Sequence, residues 1–176
     1  MHKHNIILKV SYTALLLSIT IIIGLLEMLI PPIIPILPFI KIGFGNIVVI
    51  FTVIILGELP SITIVIIKSC TIPLLFGNPI MTLYSLPASL LSLIVMILML
   101  RLKMLGIPLI SAIAACIHNL IQILVAFLIM GTQIVFSYVP YVLFAGLISG
   151  MITGIISYFL LKRIPNKLKK IQDLFI

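Results

Sequence analysis

Residues 107–130 read IPLISAIAACIHNLIQILVAFLIM, an unbroken apolar stretch with no Asp, Glu, Lys or Arg. A helix needs about 20 such residues to cross the hydrocarbon of a bilayer. A strand this long would leave its backbone groups unpaired in lipid, whereas a helix satisfies them internally. The stretch therefore predicts a membrane-spanning helix. Its middle carries His118, Asn119 and Gln122. Residues 118 and 122 are one turn apart and share a face, with Asn119 about 100° around. An unpaired polar group in hydrocarbon costs several kcal/mol, so these three side chains must face protein or water. Two readings fit: hydrogen bonds between helices, each worth well under ~2 kcal/mol, or the wall of a polar cavity.

The rest of the chain agrees with this stretch. Hydrophobic residues make up 63% of the 176 positions and charged ones only 8%, with a mean hydropathy of +1.47. A soluble domain carries about a quarter charged residues and cannot bury so much apolar surface at this size. Five more spans are expected, near 8–30, 40–56, 61–76, 80–100 and 136–161. Breaks between them fall at the prolines 31, 32, 35 and 38, at Gly57-Glu58-Leu59-Pro60, at Gly77-Asn78-Pro79, at Arg101 and Lys103, and near Gly131. The expected fold is all-α, a polytopic bundle of about six transmembrane helices forming one domain over residues 1–176. The second and third spans lie near the lower length limit and fit either tilted helices or a broken pair. The apolar run after the basic N-terminus is longer than a signal-peptide core and reads as a retained first helix.

The net charge of +8 would suggest nucleic acid in a soluble protein, but its distribution follows the spans. Lys3 and Lys9 precede the first helix; Arg101 and Lys103 follow the fourth; Lys162, Arg163, Lys167, Lys169 and Lys170 follow the sixth. On the other side only Lys41 appears. By the positive-inside rule both termini are cytoplasmic, the protein is multi-pass in the cell membrane, and nucleic acid is not a partner. In the tail, 166–176, Leu168, Ile171, Leu174 and Phe175 fall near one helical face. That fits a basic interfacial helix on anionic lipid, or simply the stop-transfer charge of the last span.

Lys68 lies near mid-depth of the third span, where a charge costs roughly 3 kcal/mol on insertion scales. A ligand anion would be one partner for it; snorkelling from a tilted span is the other reading. Glu27, Lys41, Asn46, Asn78 and Tyr84 fall on this topology in or near the outer half of the membrane, and with His118, Asn119 and Gln122 they suggest a cavity open to the outside. Gly146, Gly150 and Gly154 repeat every four residues on the sixth span, and Ala14-x-x-x-Ser18 is a shorter version on the first. Such stripes let helices approach closely, within the bundle or against a partner. Cys70 and Cys116 show neither disulfide nor metal spacing. No phosphate loop, dinucleotide turn or metal cluster is present, no cofactor is expected, and the single aspartate, Asp173, cannot support paired-aspartate chemistry. Binding, not catalysis, is the expected role.

The segments Lys41-Ile-Gly-Phe-Gly-Asn46-Ile, Lys68 with Leu74-Leu75-Phe76-Gly77, Tyr84-Ser85, and His118-Asn119-Leu-Ile-Gln122 resemble the Gx transporter family, also labelled heptaprenyl diphosphate synthase component I. The resemblance covers nearly the whole chain. It implies a relative of the substrate-binding S components of energy-coupling factor importers. Those are six-helix bundles that capture a small metabolite and depend on a transmembrane coupling subunit and cytoplasmic ATPases. Lys41, Asn46, Lys68, Tyr84, His118, Asn119 and Gln122 would then bind the ligand, an anionic or isoprenoid-related metabolite being the expected class. Where S components carry Ala-x-x-x-Ala for docking, this chain has Ala14-x-x-x-Ser18; where the family often has Arg in the third span, Lys68 keeps the charge without the bidentate fork. The synthase label implies instead a membrane partner of a prenyl-diphosphate synthase, since chain elongation needs aspartate-rich metal sites that this sequence lacks.

Overall fold

The computed structural model describes residues 2–30, 43–103 and 105–163, and every described element is helical. Helix α1 spans His2–Met28, α2 Gly45–Leu56, α3 Glu58–Leu75, α4 Met81–Leu102, α5 Ile107–Met130 and α6 Val139–Lys162, with a 3-10 helix at Gln133–Tyr138 leading into α6. Lys41 and the tail beyond Arg163 lie outside the described residues.

Five of the helices are long and apolar enough to cross a membrane. Their outward sides stay apolar: Val10, Leu15, Ile22 and Leu26 on α1 are each more than half exposed. Such surface is stable only against lipid. The chain is a membrane-embedded helical bundle.

The second span departs from its expectation. Helix α2 begins at Gly45, not near residue 40, and its 12 residues rise only about 18 Å against ~30 Å of hydrocarbon. A single residue, Gly57, joins it to α3 at φ +89°. That left-handed conformation favours glycine, and it allows the two helices to reverse without a loop. Helix α3 also starts three residues before the predicted Ser61 and passes through Pro73 before ending at Leu75.

Helix α5 is central, packed on α4 and, most extensively, on α6; α3 lies against α4 and α1, while α2 sits among α1, α3 and α6. The core runs along these contacts. Val49, Ile64, Val65 and Leu93 form one cluster, Ile50, Met96, Ile110 and Ala114 a second, and Tyr84, Ile123, Ala126, Val135 and Val142 a third.

The three glycines of α6 explain why the α5–α6 contact is so close. A Cβ at Gly150 would lie 2.6 Å from Ala112 Cα, and one at Gly154 would lie 2.6 Å from Pro108 Cα. A Cβ at Gly146 would lie 2.7 Å from the Asn119 amide nitrogen. The stripe is thus consumed inside the bundle, against the backbone of α5, and is not a free docking face. Ala14 and Ser18 differ: both are exposed on α1, and the Ser18 hydroxyl donates to the Ala14 carbonyl at 3.0 Å.

Arg101, at the end of α4, forks onto Glu58, at the start of α3, through Nε at 2.9 Å and Nη2 at 2.5 Å. This exposed pair links the start of α3 to the end of α4 at one end of the bundle. Arg101, Lys103 and Lys162 mark that end, and the cavity described next lies toward the other.

Candidate functional site

Each helix contributes to one cavity at helical spacing. From α1 come Thr20, Gly24, Glu27 and Met28; from α2, Gly45 and Asn46; from α3, Lys68, Ile72 and Pro73. Helix α4 supplies Met81, Ser85 and Ser89, α5 supplies Ala115, His118, Asn119 and Gln122, and α6 supplies Ser149. The space between them is about 840 Å³, its open mouth included. The lining comes from the C-terminal turns of α1, the start of α2, the end of α3 and the start of α4, which meet because neighbouring helices run antiparallel.

Lys68 is buried, 9% exposed, and does not snorkel. Its Nζ donates to Asn46 Oδ1 at 2.9 Å. Glu27, 8% exposed, lines the same cavity and lies close enough to act electrostatically on Lys68. The Glu27 carboxylate also accepts the backbone N–H of Gly43, just ahead of α2. Two lone buried charges would each cost several kcal/mol; mutual attraction and added hydrogen bonds offset that cost. No acid lies near Lys68 along the sequence; Glu27 comes to it in space because α1 packs on α3.

The two readings of the α5 polar triplet merge. Asn119 Nδ2 donates to the Val142 carbonyl at 3.1 Å, which ties α5 to α6. Gly146 leaves the room that this amide occupies. His118 hydrogen-bonds the backbone at Ala88, and its Nδ1 is buried without a partner among the described residues. It stands near enough to Lys68 to feel its charge. Gln122, 3% exposed, completes the wall one turn on. Asn119 is therefore both an interhelical tie and a lining residue.

Two expectations are corrected. Tyr84 is 5% exposed and packs in the core with Ile123, Ala126, Val135 and Val142, away from the cavity wall. One residue along a helix is a 100° rotation, and Ser85 with Ser89 takes the cavity face instead. Asn78 is exposed in the α3–α4 turn and does not line the cavity. Lys41, predicted to add positive charge, lies outside the described residues. Sequence reading missed Thr20, Gly24, Met28, Ser85, Ser89 and Ser149 as lining residues. The signal was available in part, since Thr20 and Gly24, and Ser85 and Ser89, are each one turn apart.

Among the described residues, no three His, Cys, Asp or Glu side chains gather as metal ligands. What the cavity offers is hydrogen bonding from α1, α2, α4, α5 and α6 around one opposed pair of charges.

A family model described as heptaprenyl diphosphate synthase component I matches residues 16–160 of the chain. The chain belongs to that family. Every cavity-lining residue of the chain, from Thr20 to Ser149, falls within the matched span. Ala14 does not. No curated protein and no solved structure matches the chain.

Proposed function

We propose that this component I protein is a substrate-binding component of a membrane uptake system. It holds a small metabolite in the cavity between its six helices, and a partner module that hydrolyses ATP drives the movement. The supporting observation is the convergence of Asn46, Lys68, His118, Asn119 and Gln122, from three separate helices, on one cavity. Side chains of this kind are costly inside a membrane unless they serve a pathway or a ligand. The basic residues at the opposite end of the bundle support, by the positive-inside rule, an orientation with the cavity toward the extracellular face and both termini in the cytoplasm. Binding sites between helices of a bundle are a recurrent solution for small ligands. Selection here is equilibrium binding, with no catalytic step assigned to the chain.

The test is native mass spectrometry of the full chain extracted in mild detergent. A small molecule should be retained by the wild type and lost from Lys68→Met and from His118→Ala. Retention unchanged in both variants would remove the cavity from the function. Co-purification with a transmembrane coupling subunit and its ATPases checks the energy source separately.

The family description favours a second reading, in which the chain is a non-catalytic membrane subunit that tethers a soluble prenyl-diphosphate synthase. That reading assigns the binding work to the basic tail or to the Glu58 end. A pull-down of the synthase that persists in Lys68→Met and disappears when the chain is cut after Arg163 would establish it.

A further inference from the structure

The uptake reading leaves the charge class of the ligand open, and a buried lysine alone would point to an anion. The cavity is built otherwise. Among the described residues that line it, Lys68 is the one cation and Glu27 the one anion. Glu27 lines the cavity together with Lys68 and attracts it electrostatically, and its carboxylate accepts the Gly43 N–H at the entry to α2. Asn46 Oδ1 takes a further Lys68 donor at 2.9 Å. The remaining lining side chains are neutral, namely the amides of Asn119 and Gln122, the hydroxyls of Ser85, Ser89 and Ser149, and His118 with an unpartnered buried Nδ1.

Resting on the uptake reading, we propose that the cavity takes a small molecule of zero net charge, uncharged or zwitterionic, and rejects prenyl diphosphates. Such a ligand presents a hydrogen-bond donor to His118 Nδ1 and acceptors to the amides and hydroxyls. A diphosphate brings two or more negative charges into a site where, among the described lining residues, the one cation is already countered by a carboxylate. In a low-dielectric site that surplus is repelled and stripped of water at once. The reading departs from the anionic class that the sequence alone suggests, and it separates the ligand from the diphosphates named in the family description.

Two arms test it on the full-length protein in mild detergent. In the first, the molecule retained by the wild type is released and its net charge at neutral pH determined by mass spectrometry and electrophoresis; zero net charge is expected. In the second, geranyl diphosphate is titrated into wild type and Glu27→Gln. Glutamine keeps an oxygen to accept the Gly43 N–H while removing the opposing charge. The wild type should not bind this probe, and Glu27→Gln should raise its affinity by roughly tenfold or more. A retained anion, or geranyl diphosphate binding to the wild type that Lys68→Met or Lys41→Met abolishes, would overturn the charge assignment and leave the uptake reading standing. A protein that retains nothing and binds neither form of the probe would overturn both. The wild-type measurements decide the matter even where a variant folds poorly.

Discussion

Helix α5 works on two fronts with much the same residue types. Along its contact with α6, Ser111 meets Thr153 at 3.1 Å, Asn119 meets the Val142 carbonyl, and glycines let the backbones touch. On its cavity side, His118 and Gln122 face α1, α2 and α3 across open space. In the first region three glycines bring the backbones together, and Ser111, Thr153 and Asn119 make hydrogen bonds across the seam. In the second, polar side chains and small residues from all six helices line an open gap. Lipid gives helices no hydrophobic drive to associate, so close packing and interhelical hydrogen bonds must supply it. The closed seam does that for the bundle, and the open side is thereby free to hold a ligand.

The comparison can be broken most directly at Gly150. An alanine there puts its Cβ 2.6 Å from Ala112 Cα and 2.8 Å from the Ser111 carbonyl oxygen. Both are backbone, so α5 and α6 must part. Gly150→Ala should cost about 3 kcal/mol or more, at the upper end of overpacking penalties, in reversible unfolding in mixed micelles. Gly131→Ala is the control: its φ of +64° with nothing near the added carbon limits the loss to about 1 kcal/mol of backbone strain. Equal losses at the two positions would show that the seam is not tight.

A smaller effect is expected on the cavity side. Lys68→Met leaves Glu27 facing the cavity without its cation and should destabilise the fold by about 2 kcal/mol. Adding Glu27→Gln should recover most of that loss. A double-mutant cycle would then give a coupling of roughly 1–3 kcal/mol; additive losses would mean that the two charges do not compensate each other. The least effect belongs to a single seam hydrogen bond. Ser111→Ala removes the contact with Thr153 and should cost about 0.6 kcal/mol, typical of such bonds in membranes, with ligand retention unchanged. A change in retention there would mean that seam and cavity are not separable.

Much of the cavity was legible in α5, because His118, Asn119 and Gln122 stand out against an apolar helix. Lys68 was legible for the same reason. Tyr84 was misplaced because it was read singly: Ser85, Ser89 and Ser92 recur at helical spacing and mark one face of α4, and Tyr84 stands 100° away from Ser85. Glu27 was visible as an outer-half acid, but its pairing with Lys68 was not, since no local pattern relates residues on α1 and α3. The glycine stripe read first as internal packing, with docking as the alternative, and only the neighbouring α5 decided between them.

What composition and order alone determined is the solvent and the element count: with so few charges, long apolar runs and basic flanks, only a helical bundle in lipid satisfies the backbone. The rotation of each helix, and so which side chains meet, was decided by tertiary packing. A helix that is apolar all round has no preferred face of its own, and contacts such as Gly150 on Ala112 or Lys68 on Asn46 exist only once its neighbours are in place.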